Sequence, residues 1–221
     1  MNQEEAFKIA MEAQFIEPIK LGPWSSYSLL DDPKHLCFVL SRYKFCSKLL
    51  EGKDNILEIG VGDALGTPLV AKIAKHILAI DSNEPIIESN KILLPKTIKN
   101  IEFLYHNICK APIDTTFDGA FSIDVIEHLD SDVEEAFMTN ISKSLNSDGI
   151  YIMGTPNITA SVYATYRSAV QHINLKSHAS LRELMVKYYR NVLMFGMNDE
   201  TLHTGFGDMA HYLFAVGIAP R

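Results

Sequence analysis

The sequence predicts an α/β fold of three layers, with a seven-stranded, mostly parallel sheet between helices. Three observations predict it. Short apolar runs alternate with helix-like stretches throughout residues 55–154, and that rhythm builds a parallel sheet covered on both faces. A glycine-rich loop, Gly60–Gly66, joins the first run to the helix after it. The 221 residues are 47% hydrophobic and 21% charged, which supplies one full-sized core and argues against disorder.

The elements follow in order. Residues 2–15 suggest a short helix, and residues 18–30 an irregular segment that places Trp24 and Tyr27 on a loop. Asp31-Asp32-Pro33 reads as a helix start, an aspartate cap followed by proline in the first turn. That helix runs to about Leu50, and Gly52 closes it. Residues 55–59 are a buried strand, 60–66 the glycine loop, and a helix opens at Thr67 and Pro68. Strands at 76–80, 101–105, 119–123 and 150–153 follow, with a helix over 84–94 between the first two. Ser131-x-x-Glu134 has the capping-box pattern, opening a helix to about Leu145. Residues 158–172 and 181–190 read as helices, the second opened by Ser180-x-x-Glu183, and residues 209–219 as a last strand.

Composition removes several function classes. The net charge of −7 does not favour a polyanion-binding face, so no nucleic-acid partner is expected. Cys37, Cys46 and Cys109 lack CxxC spacing and read as reduced thiols. No apolar run has the length of a membrane span, and the N-terminus lacks a signal-peptide pattern. A cytoplasmic location is the expectation.

The chemistry gathers at strand ends. Glycines let the backbone turn sharply and approach a ligand, and the following helix aims free N–H groups at the same place. The dinucleotide fingerprint is GxGxxG, but here Leu65 fills the sixth position and the spacing is GxGxxxG. Acidic Glu58 precedes the loop, where a pyrophosphate would gain little. Asp81 ends the second strand, where a carboxylate accepts ribose hydroxyls.

The stretch NILEIGVGDALG (55–66) resembles motif I of class I S-adenosylmethionine (SAM) methyltransferases. FDGAFSIDVIEHL (117–129) and LNSDGIYIMGTPN (145–157) resemble the later motifs of the ubiquinone-biosynthesis O-methyltransferase-like group. The resemblance covers roughly residues 53–157 and implies a Rossmann-like class I fold that binds SAM and releases S-adenosylhomocysteine (SAH). It implies cofactor contacts at Glu58, Gly60, Gly62, Asp81, Ser82, Asn107, Ile108 and Asp124. Asn107 departs from the acidic residue that the family places against the adenine amine.

Methyl transfer is an in-line displacement, so the protein must align the acceptor and, for a hydroxyl, remove its proton. Asp124, His128 and His172 are the candidate catalytic residues, and Trp24, Tyr27, Arg42 and His203 the candidate acceptor contacts. Each has a structural alternative: a capping histidine, an anchoring aromatic, a solvated helix face. Asp124-x-x-Glu127-His128 with His172 loosely resembles the metal set of small-RNA 2′-O-methyltransferases, although no metal is expected.

The leading expectation is O-methylation of a small molecule, with a sugar or cell-surface precursor as the candidate acceptor. The alternatives are a metal-assisted RNA 2′-O-methyltransferase, an NAD-dependent oxidoreductase and a non-catalytic SAM-binding protein. The expected organisation is a single domain, 1–221. It comprises an N-terminal helical segment (1–52), a SAM-binding core (53–157), a helical insertion over the active site (158–205) and a final strand (206–221). A homodimer is compatible with the sequence, as is a monomer.

Overall fold

The structure, a computed structural model, describes residues 1–12, 19–94 and 98–221. Eight strands form one sheet in the order β3-β2-β1-β4-β5-β8-β6-β7. β1 (Asn55–Ile59), β2 (His76–Asp81), β3 (Ile101–Tyr105), β4 (Phe117–Ile123) and β5 (Leu145–Pro156) are parallel to their neighbours. β8 (Tyr212–Pro220) lies antiparallel between β5 and β6 (Tyr189–Asn198), and β7 (Thr201–His203) hairpins onto β6.

Alternation along each strand divides the core between the two faces. Ile56, Ile77, Phe121 and Phe214 pack beneath α3 (Lys34–Leu49), α4 (Thr67–Ala71) and α5 (Glu84–Leu93). Leu57, Leu78, Ala120 and Tyr151 face α6 (Glu134–Lys143) and α8 (His178–Tyr188). The chain turns one way from β1 to β2 and β3, and the other way from β4 to β5. The crevice at the carboxyl ends of β1 and β4 is therefore the switch point, where such sheets bind ligands.

The strand count and the insertion need correction: the sheet has eight strands, and residues 189–203 belong to it rather than to a helical cover. β6 follows α8 with no turn residue between Tyr188 and Tyr189, and its ladder comes from β8, far along the sequence. Long-range pairing overrides the helix-favouring Leu and Met content of this segment. The rest of the expected insertion is a 3₁₀ segment (Ile158–Tyr163), α7 (Tyr166–Gln171) and α8.

Several helix starts also differ. The expected 2–15 helix is α1 (Gln3–Glu12), and residues 13–15 lie outside the described residues. Residues 23–31 form α2 (Pro23–Asp31), so Trp24 and Tyr27 stand on a helix. Pro23 occupies its first turn, but the carboxylate at its amino end comes from distant Asp63. Asp32 closes α2 through its N–H and caps nothing with its side chain, and α3 starts beyond Pro33. α6 begins without a side-chain cap, because the Glu134 carboxylate instead accepts from Asn174 and pairs with Lys176. The capping box of α8 is Ser177 with Ser180.

Candidate active site

Gly60 (φ +73°) and Gly62 (φ +51°) adopt the left-handed conformation that glycine enters without cost. The N–H groups of Gly60 and Val61 donate to the Ile80 carbonyl, tying the loop to β2. Asp81 completes the tie: Oδ2 accepts from Gly62 N–H at 3.1 Å and Oδ1 from Asn83 N–H at 2.9 Å. Each carboxylate oxygen keeps a further acceptor position for a hydroxyl. From α5, Asn90 Nδ2 donates to the Gly62 carbonyl at 2.6 Å. Ser82 is exposed beside Asp81 at the strand end.

Glu58 stands elsewhere than expected. Strand alternation turns it away from Leu57 and Ile59, onto the α3 face, where it is 1% exposed. Oε1 accepts from Tyr43 Oη at 2.8 Å, and Oε2 has no partner among the described residues. Burial pushes its carboxyl up to about 8, against the pull of the Tyr43 hydrogen bond. Glu58 is thus held by Tyr43 between β1 and α3. Ile108 buries its side chain in the core, and its carbonyl accepts from Asn140. Asn107 Oδ1 accepts from Cys109 N–H at 2.9 Å, fixing the amide at the end of β3.

On the acceptor side, Asp124 follows β4 in the left-handed region (φ +56°) and keeps its N–H on the Gly154 carbonyl. A non-glycine residue held there is strained, and such strain gathers at functional sites. Its Oδ2 accepts from Arg42 Nη1 at 2.7 Å, and the Arg42 guanidinium lies 3.8 Å from the Tyr212 ring centroid. Burial opposes the Arg42 charge, but Asp124 and Tyr212 sustain it. Arg42 is therefore a buried partner of Asp124, not a free cation on a helix face. Buried atoms without partners among the described residues gather here: Arg42 Nε, Asp124 Oδ1, Glu127 Oε1 and Tyr212 Oη.

His128 and His172 meet edge to face, ring centroids 5.1 Å apart. His128 Nδ1 lies 3.1 Å from the Gln171 carbonyl. A carbonyl only accepts, so Nδ1 is the donor in this contact, and Nε2 is the acceptor nitrogen of the neutral tautomer. Burial, then His128, lowers His172, which leaves its imidazole neutral near pH 7. Glu127, between Asp124 and His128, is fully buried, with Oε2 accepting from Thr155. Burial and then Asp124 push its carboxyl well up.

Trp24 lies over the glycine loop: a Cβ on Gly62 would stand 3.7 Å from its Cζ3. Tyr27 packs under the Arg167 guanidinium. His203 is not brought to this group. It sits on β7, four strands from β4, a span of about 19 Å at the usual strand spacing. Its Nε2 contacts Asn198 Oδ1 and its Nδ1 accepts from Gly205 N–H, so the ring braces the β6–β7 hairpin. Sequence reasoning missed Tyr43, Asp63, Asn90 and Tyr212. Asp63 alone carried a signal, a carboxylate inside the loop.

A switch-point crevice with a left-handed glycine loop, its braced carboxylate and this strand order is the fold of class I SAM-dependent methyltransferases. Residues 57–153 match the family model described as "Methyltransferase domain", and SAM is the cofactor that this match, the relatives and the SAH-bound neighbour support. A probable SAM-dependent methyltransferase of Mycolicibacterium smegmatis is 26% identical over 48% of this chain and 39% of its own length. The ubiquinone biosynthesis O-methyltransferase of Rickettsia typhi is 29% identical over 50% of this chain and 44% of its own. The chain thus matches less than half the length of either relative. The SAH complex of the N-methyltransferase NodS from Bradyrhizobium japonicum shares the fold, with TM-score 0.63 and 18% identity over 89% of this chain and 93% of that one. Among the described residues, no helix is long and apolar enough to cross a membrane.

Proposed function

We propose that this chain moves the methyl group of SAM to a hydroxyl oxygen of a small-molecule acceptor. The acceptor oxygen attacks the methyl carbon in line, and the carbon–sulfur bond breaks with its electron pair passing to sulfur, leaving SAH. The hydroxyl proton passes to an imidazole of the His128–His172 pair. The observation that carries the reading is this pair of imidazoles beside strained Asp124, at the end of the strand next to the cofactor loop. The name of the Rickettsia relative supports oxygen as the acceptor atom.

The test is methyl transfer from labelled SAM to a panel of hydroxylated small molecules, read by mass. His128→Ala should cut turnover about a hundredfold or more, the usual scale of general-base removal, with SAH affinity retained. Asp81→Ala should instead weaken SAH binding about tenfold to a hundredfold, the scale of a lost charged hydrogen bond. If both variants turn over like the parent, the site is misplaced.

A second reading rests on one cluster. Glu127, His128 and His172 each offer a ligand atom, all within 4.8 Å of one another, and Glu127 Oε1 is buried without a partner. A carboxylate with two imidazoles suits a divalent cation, which would polarise an acceptor hydroxyl. Turnover that survives exhaustive chelation unchanged would reject this reading. Turnover lost to chelation and restored by Mg²⁺, Mn²⁺ or Zn²⁺ would support it.

A further inference from the structure

α2 is fastened to both halves of the site. On the donor side, Asp63 Oδ2 accepts from Ser25 N–H at 2.6 Å, in the first turn of α2. Gly22 stands against the same carboxylate, where a Cβ would come 2.4 Å from Asp63 Cγ. Trp24, the next residue but one, lies over Gly62 with 48% of its surface still exposed. A cofactor seated on the loop would cover that ring, and a sulfonium would be attracted to its face.

On the acceptor side, Arg167 of α7 lies over the Tyr27 ring, 4.9 Å from its centroid. α7 buries none of its residues. Few packing contacts hold it, so individual contacts decide its position. The same short helix ends in the Gln171 carbonyl that meets His128, and His172 closes it. A continuous set of contacts therefore runs from the glycine loop through α2 and α7 to both histidines.

We propose that Asp63, Tyr27 and Arg167 are positioning residues that make α2 a clamp between the two halves of the site. Cofactor binding steadies α2 through Trp24, and α2 steadies α7 and the histidine pair. The acceptor half is then completed only after the donor is bound, a coupling between two sites through one shared element. This rests on the cofactor reading and extends it.

Hydrogen exchange on the full chain, with and without saturating SAH, tests the clamp. Trp24 is the only tryptophan in the sequence, so its emission reports α2 directly. SAH should slow exchange across 23–31 and 166–172 and change the Trp24 emission. In Arg167→Ala, SAH affinity and the protection of α2 should stay within about twofold of the parent, while protection of α7 is lost. Gly22→Ala, which displaces the Asp63 carboxylate, should weaken SAH about tenfold, close to 1.4 kcal/mol, and lower protection in both segments. Asp63→Ala, which removes the acceptor for Ser25 N–H, should do the same should Gly22→Ala fail to fold. Equal α7 protection in Arg167→Ala overturns the clamp, as does SAH binding that leaves α2 exchange unchanged. Absence of SAH binding to the parent by calorimetry would instead overturn the cofactor reading.

Discussion

Glu58 turns the burial of one carboxyl into a stability profile. Its carboxyl is raised from 4.5 to about 8 by burial, so between those values the folded state holds a proton that the unfolded chain has released. Stability then falls as pH rises through that window. At 1.36 kcal/mol per pKa unit, the whole displacement amounts to about 4–5 kcal/mol. Linkage places about 3 kcal/mol of it between roughly pH 5.5 and 8.5. That is a large part of a typical folding free energy of about 5–15 kcal/mol. Glu58→Gln keeps the shape and an acceptor for Tyr43 Oη, and it cannot ionise. Urea unfolding of both proteins across this range should show the parent losing about 3 kcal/mol more than the variant, with near equality reached only below about pH 4. Parallel profiles would refute the reasoning: they would mean that Glu58 is ionised in the folded protein, as it would be beside a cation in the crevice.

Two further predictions concern the acceptor side. Arg42→Met removes one partner of a part-buried ion pair and leaves Asp124 uncompensated in its strained conformation. With Asp124 partly open to solvent, the loss should fall below the buried-pair scale of about 3–5 kcal/mol and above about 1 kcal/mol, read as a lower urea midpoint, and a smaller loss would class the pair as a surface one. His203→Ala should lower thermal stability by loosening the β6–β7 hairpin, with turnover per folded molecule unchanged, and a selective fall in turnover would return His203 to the site.

The parts legible in the sequence are those that local chemistry decides. β1 to β4 and the Ile150–Met153 part of β5 are largely apolar runs, and Gly60, Gly62 and Asp81 lie at the ends of two strands, where fold geometry brings a loop and a carboxylate together. Glu58 was misplaced because loop spacing speaks for the backbone, whereas the two-residue strand period sends its side chain under α3. What was not legible depends on distant partners. Tyr43 reaches Glu58 across 15 positions, Asn90 reaches Gly62 across 28, and Asp63 reaches Ser25 across 38. No local pattern announces such contacts. β6 is the same case at the level of an element, since its strand state comes from β8 and not from its own residues.

The central claim is that the glycine loop with Asp81 holds SAM. A thermal-shift and calorimetric comparison of SAH, SAM and NAD on the full chain tests it most directly. SAH at about a hundred times its Kd should stabilise the fold by about 2.7 kcal/mol, with NAD giving no shift and Asp81→Ala removing most of the SAH effect. No stabilisation by SAH or SAM, with a clear shift from NAD, would contradict the account.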